Sequence, residues 1–141
     1  MAAFNKFNAF VENLSEGVHN LQSDTLKIML TNTAPSASNS VAADIAEITA
    51  GNGYTAGGSQ ATVSSSAQTS GTYKLVLDDV TITASGGSIG PFRYAVLYND
   101  TPTSPADPLI GWYDYGSSIT LNDGEPLTVD FDPSTGALTL A

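Results

Sequence analysis

The sequence contains no cysteine, one histidine and only four basic residues among its 141 positions. The lack of cysteine excludes a disulfide scaffold, a thiolate zinc site, an iron–sulfur cluster and a cysteine nucleophile. Four basic residues are too few to follow the phosphates of a nucleic acid or to hold the chain on anionic lipid. We therefore expect neither a nucleic acid nor a membrane as a partner.

Long apolar runs are also missing, so we predict no membrane-spanning helix. The N-terminus lacks the basic and apolar regions of a signal peptide. Fourteen acidic residues give a formal net charge of −10, and a hydrophobic content of 41% is sufficient for a packed core. A chain of this length is expected to form one domain with a short arm.

Small residues dominate the composition, since Ala, Ser, Thr and Gly supply about 44% of the chain. Segments rich in Thr and Ser, separated by Gly, Pro and Asn or Asp, are typical of β structure. About seven short strands are predicted, so we expect a mainly β, antiparallel β-sandwich or jelly-roll-like domain over 23–141. The predicted strands lie within 24–32, 72–85, 92–99, 109–115, 118–121, 127–131 and 137–140.

Residues 1–22 have a different pattern from the rest of the chain. Phe4, Phe7 and Phe10 recur at the spacing of one helical face. The spacing predicts an N-terminal amphipathic helix or arm that ends near Gly17. A short isolated helix is marginal in water, so it needs a partner surface. That surface is either the chain's own sheet or a neighbouring subunit.

Residues 33–71 are predicted to form a long loop of small residues. Tyr54 is one of its few apolar anchors, and a short helix is predicted at 40–48. A loop of this length is uncommon in a compact domain unless it has a function or a partner. We interpret it as a surface excursion that is available to cover another subunit.

In two predicted β segments, the alternation of apolar residues indicates how the strand is placed. Leu75 and Leu77 share one face, whereas Val80 and Ile82 share the other, and the change falls at 78–79. A β-bulge at that point would bring both sets to the core, and a bend or a hairpin is the alternative. Residues 92–99 are apolar on both faces, which predicts a central strand.

No motif predicts catalysis. Gly86–Gly90 matches the nucleophile elbow G-x-S-x-G, but a strand follows it instead of a helix, and His19 is the only imidazole. A serine without a base is a poor nucleophile, so we predict a turn. Asp130 and Asp132 share a strand face and could hold a hard cation with a third ligand, although a solvated acidic face is favoured. We predict no catalytic, cofactor-binding or metal-binding residue.

Arg93 is the only basic residue after position 78, so we expect it to pair with a carboxylate inside the subunit or across a subunit contact. Trp112, Tyr113 and Tyr115 are aromatic residues of the kind found in sandwich cores, at protein interfaces and in sugar-binding modules. The candidate interface residues are therefore Phe4, Phe7, Phe10, Tyr54, Arg93, Trp112, Tyr113 and Tyr115.

Three runs resemble a family of small structural proteins of tailed bacteriophages and prophages. They are KFNAFVENLSEGVHNLQSDTLKIMLTN, ADIAEITAGNGYTAGG and GWYDYGSSITLNDGEPLTVDFD. The family is similar to head decoration, or cement, proteins. The resemblance implies a β-sandwich or jelly-roll subunit that forms trimers, binds the major capsid protein on the outer surface of the head, and has no catalytic residues. It implies synthesis in the host bacterial cytoplasm and residence in the virion.

A second interpretation from the same resemblance is a tail, fibre or adaptor subunit, with the aromatic residues in contact with host glycans. An enzyme is not expected, because no constellation is centred on a histidine.

Overall fold

A computed structural model describes residues 3–141, and it is mainly β with antiparallel sheets. One α-helix, α1, spans Asn8–Ser15, and a single 3₁₀ turn spans Ala42–Asp44. The strands are β1 (Phe4–Lys6), β2 (Leu26–Thr31), β3 (Ser59–Ala61), β4 (Val63–Thr69), β5 (Thr72–Leu77), β6 (Val80–Thr83), β7 (Ile89–Asn99), β8 (Leu109–Leu121), β9 (Pro126–Val129) and β10 (Leu138–Leu140).

The strands form three sheets. The largest has the order β1–β8–β7–β2–β3, a second has the order β10–β5–β4, and β6 pairs with β9 alone. The main hydrophobic core contains buried side chains from all three sheets. This arrangement of antiparallel sheets around a shared core is consistent with a β-sandwich.

The large sheet is buried on both faces at its centre. Leu26, Ile28 and Leu30 of β2 lie in the main core, whereas Met29 lies in a second cluster. The predicted central position of 92–99 is confirmed, since β7 lies between β8 and β2. Alternation therefore identifies the strand face only where one face is exposed.

The N-terminal segment packs on the chain itself. β1 pairs with β8, and Phe7 lies fully buried in the second cluster, with its ring centroid 4.6 Å from that of Trp112. Phe10 lies in the main core. The predicted arm at 1–22 is thus a short strand and an eight-residue helix in this structure, and its first two residues lie outside the described range.

The segment 33–71, predicted as a loop, contains β3 and β4. Sequence alternation fails here because β3 and β4 are edge strands, and β4 is largely exposed. The predicted helix at 40–48 is wrong, and only one 3₁₀ turn forms. The apolar side chains of this segment do not share one face, since Ile45 packs against the second cluster and Ile48 against the main core.

Tyr54 holds the middle of this segment in place. Its hydroxyl donates to Glu47 Oε2 at 2.6 Å and accepts from the backbone N–H of Leu30 at 3.0 Å. Burial and the Glu47 carboxylate raise the pKa of Tyr54 well above its usual value. At Gly58, φ is +82° and a side chain would overlap the Ile28 carbonyl, so only glycine allows this close approach to β2.

At 78–79, where the apolar residues change from one strand face to the other, the chain bends and passes from one sheet to another. β5 pairs with β4 and β10, whereas β6 pairs with β9, so neither the bulge nor a β5–β6 hairpin forms. Both apolar sets still reach the main core. The backbone N–H of Asp78 bonds to the Thr62 carbonyl, and Asp79 Oδ1 accepts from the backbone N–H of Phe131.

Two further turns do not join paired strands. The segments 109–115 and 118–121 form one strand, β8, which pairs with β7 and β1. The Asn122–Gly124 turn then leads into β9, which pairs with β6, and the loop at 132–136 leads into β10, which pairs with β5. Neither turn therefore closes a hairpin, because a turn sequence sets only the local chain direction.

Candidate functional site

The best candidate site is an apolar groove between β9 and the middle of β7 and β8, which we call the β9 groove. Its cavity volume is about 230 Å³. The lining residues are Leu30, Phe92, Arg93, Tyr94, Ala95, Tyr113, Tyr115, Leu127, Thr128, Val129, Asp130 and Phe131. Surface clefts lined mainly by apolar side chains are the usual places for binding.

The floor of the β9 groove is buried. Leu30, Phe92, Tyr113 and Phe131 are each less than about a tenth exposed. The rings of Tyr113 and Phe131 meet edge to face with centroids 5.9 Å apart. The Tyr113 hydroxyl donates to the Ala137 carbonyl at 3.4 Å, and burial raises the pKa of this phenol well above its usual value. The floor therefore stays uncharged at neutral pH.

An ion pair lies at one side of the β9 groove. Arg93 Nε and Nη2 donate to the two carboxylate oxygens of Asp114 at 2.8 and 3.1 Å. The backbone N–H of Gly116 also donates to Asp114 Oδ1, at 2.8 Å. These hydrogen bonds lower the pKa of the Asp114 carboxyl, and those from Arg93 have the largest effect. Arg93 thus has an internal partner, and the pair adds no net charge to the groove.

The opposite side of the β9 groove has an unpaired strand edge and an acid. β9 pairs with β6 on one side only. Within residues 3–141, the backbone of Leu127–Asp130 forms no hydrogen bond to any element other than β6. Asp130 is exposed, and no ion pair or hydrogen bond of its side chain occurs in that range.

Most basic side chains within residues 3–141 pair with acceptors of the same chain. Lys27 Nζ lies 3.1 Å from Asp100 Oδ2, and Lys74 Nζ donates to the carbonyls of Pro133 and Ser134. With Arg93 on Asp114, three of the four basic side chains already have internal partners. The surface consequently presents an excess of carboxylates to any partner.

The predicted interface residues do not form one surface. Phe7, Phe10, Tyr54 and Tyr113 are buried, and Phe4 packs against the main core with its ring centroid 5.8 Å from that of Tyr113. Trp112 is half-buried against Phe7. Of the predicted set, the β9 groove brings together only Arg93, Tyr113 and Tyr115.

Tyr115 is the most accessible of the predicted aromatic side chains, with 63% of its surface exposed. Sequence reasoning missed the part of the groove that Leu127 and the buried Phe131 supply. Their period-two alternation with Val129 was a signal for a strand. No local pattern could show that this strand would pair with β6 and leave its other edge free.

His19 is held as a buried neutral imidazole. Asn99 Nδ2 lies 3.0 Å from His19 Nδ1 and also donates to Asp24 Oδ2 at 2.7 Å, while Asn99 Oδ1 accepts from the Thr101 N–H. Nδ1 must therefore accept, so the proton is on Nε2, which has no partner within the described residues. Burial lowers the pKa of His19, and Asp24 opposes this in part. Neither ring nitrogen is exposed as a base.

The acidic residues do not assemble a recognisable metal centre. Over residues 3–141, no group of three or more His, Cys, Asp or Glu side chains is placed to hold a metal ion. Asp132 instead accepts from the backbone N–H and hydroxyl of Ser134 at 2.8 and 2.7 Å, which lowers the pKa of its carboxyl. Its geometry is that of an Asx turn.

Comparisons with family models, curated proteins and solved structures give no match to this chain. None of the helices formed by residues 3–141 is both long and apolar enough to cross a membrane.

Proposed function

We propose that this chain is a non-catalytic structural protein of a bacteriophage particle, a decoration protein that binds the outer surface of the assembled head. Its partners are the major capsid protein and further copies of itself in a trimer. The subunit is a jelly-roll-like sandwich in this proposal. The sequence resemblance supports the proposal, and the mainly β, antiparallel architecture is compatible with it.

The β9 groove is the observation that carries the binding role. It is an open apolar surface at the side of the large sheet, and it adjoins a strand edge with unpaired backbone groups. Both features are typical of surfaces that bind other proteins. A cement protein stabilises a shell because it binds the assembled form and not the dissociated one, which shifts the equilibrium toward the shell.

Copy number tests the location. We would purify particles and quantify this chain against the major coat protein by peptide mass spectrometry. A ratio near one to one is expected for a shell decoration. A ratio of a few per hundred would assign the chain to the tail or neck, and its absence from particles would contradict both.

One observation favours a second candidate, a tail, fibre or adaptor subunit that contacts glycans. Tyr115 is largely exposed beside the β9 groove, and an exposed aromatic face can stack on a sugar ring. A glycan array separates the two candidates. Binding that Tyr115→Ala abolishes would support the tail protein, whereas no binding by the native chain would contradict it.

A further inference from the structure

We infer that the β9 groove binds an extended protein segment by strand addition, with one apolar side chain in the groove and a basic side chain beside Asp130. The inference rests on the proposed function only in assigning that segment to a coat protein. The binding chemistry itself follows from three independent features of the groove.

The first feature is the free edge of β9. A two-stranded sheet is marginal by itself, and β6–β9 lacks a third strand on the groove side. An added strand would bond to the unpaired backbone groups of Leu127–Asp130. Main-chain hydrogen bonds of this type supply affinity without requiring a particular sequence.

The second feature is the apolar cavity next to that edge. All four residues of Leu127–Asp130 line the groove; Leu127 and Val129 also pack toward the main core, while Thr128 and Asp130 are exposed. A strand paired with β9 would have side chains on the same two faces. One of its residues would enter the groove, and the residues on either side of it would lie with Thr128 and Asp130.

The third feature is charge. Asp130 has no cationic partner among the described residues, and the Arg93–Asp114 pair across the groove is already neutral. With a net charge of −10, two copies of the chain would repel each other at this acidic edge. A partner with Lys or Arg beside its apolar residue is complementary, and a second copy is not.

The experiment uses the full chain and a blocked peptide, Thr-Lys-Phe-Lys-Thr, followed by amide chemical shifts in ¹⁵N NMR. We expect saturable shifts concentrated on Leu127–Asp130 and on the strand residues that face them. A charge-reversed peptide with Glu in place of Lys should bind more weakly. Shifts centred elsewhere, or no binding up to about 1 mM peptide, would overturn the inference.

Two N-methylated peptides test the strand pairing. Alternate amides of an added strand face its neighbour, so methylation of the Phe amide and methylation of the two Lys amides should differ, and only one should abolish binding. Equal binding of both would mean that the groove takes a side chain without strand addition, which would contradict the inference.

Two protein variants test the charge. Asp130→Asn should weaken binding of the Lys peptide about two- to fivefold, the range expected for an exposed ion pair. Glu16→Gln removes one charge at an exposed position after α1 and should leave binding unchanged. Equal losses in the two variants would indicate attraction by net charge alone and would overturn the role of Asp130.

These outcomes are separate from the copy-number measurement. Peptide binding could fail while the chain is abundant in particles, which would leave the proposed function and remove this site. Dilution-dependent shifts at β9 without peptide would instead identify a second copy as the occupant, and would also overturn the inference.

Discussion

The two faces of the large sheet close in different ways. On the outer face, Phe7 and the 3₁₀ segment pack over Met29, Val96 and Leu109. The apolar side chains of this face are therefore buried by other parts of the same chain. On the core face, the β6–β9 pair stops short and leaves the β9 groove open. The comparison shows that an apolar sequence pattern alone does not mark an interface. The chain buries the rings of Phe7 and Phe10 and leaves a groove beside the exposed Tyr115 open.

The largest expected effect is on the closed face. Phe7→Ala removes a fully buried ring that contacts Trp112, and should lower the free energy of unfolding by about 3–5 kcal/mol. Urea denaturation followed by circular dichroism measures this change. A loss below about 1 kcal/mol would mean that the N-terminal segment is not part of the core, and would restore Phe7 as an intermolecular contact.

A pH-dependent loss of stability is expected at His19. Burial lowers the pKa of His19 in the folded protein, so the unfolded chain takes up the proton first. The contribution of the neutral imidazole is complete above about pH 6.5 and declines as the pH falls from there toward the folded pKa.

Unfolding free energies at about pH 7.5 and pH 5.5 measure this effect, with a slope of at most about 1.4 kcal/mol per pH unit. His19→Gln is the matched variant, because it does not titrate and retains an acceptor for Asn99. A native protein with the same slope as this variant would contradict the assignment.

Trp112→Ala should have a smaller effect than Phe7→Ala. Trp112 is only half-buried, although its ring lies over Phe7, so we expect a loss of about 1–3 kcal/mol instead of the larger loss of a buried indole. Thermal and urea unfolding of both variants give the ranking. A larger loss for Trp112 than for Phe7 would reverse the assigned roles of the two rings.

The smallest effect on stability is expected on the open face. Tyr115→Ala removes an exposed side chain and should change the unfolding free energy by less than about 0.5 kcal/mol. Peptide or particle binding should decrease in the same variant, because Tyr115 lines the β9 groove. Unchanged binding together with lost stability would make Tyr115 a structural residue and would remove the contrast between the two faces.

Much of the strand content follows from local pattern, whereas the candidate site does not. β2 and β7 were predictable because Leu26, Ile28 and Leu30 alternate and because 92–99 is apolar on both faces. β3 and β4 were not, since edge strands of Ser, Thr and Gln need no alternating apolar residues. The groove depends on Leu127 and Phe131 lying opposite Tyr113, and these residues are distant in sequence.

The sequence by itself determined the β-rich class, the excess of acidic residues and the positions of most turns, because propensity, charge and turn chemistry act over a few residues. Only the tertiary structure decided that β9 pairs with β6, that Phe7 and Phe10 are buried, and that Arg93 meets Asp114. Strand pairing and burial depend on contacts between distant segments. Several segments of the chain could pack on a given apolar face. Which of them does so depends on the packing of the whole core.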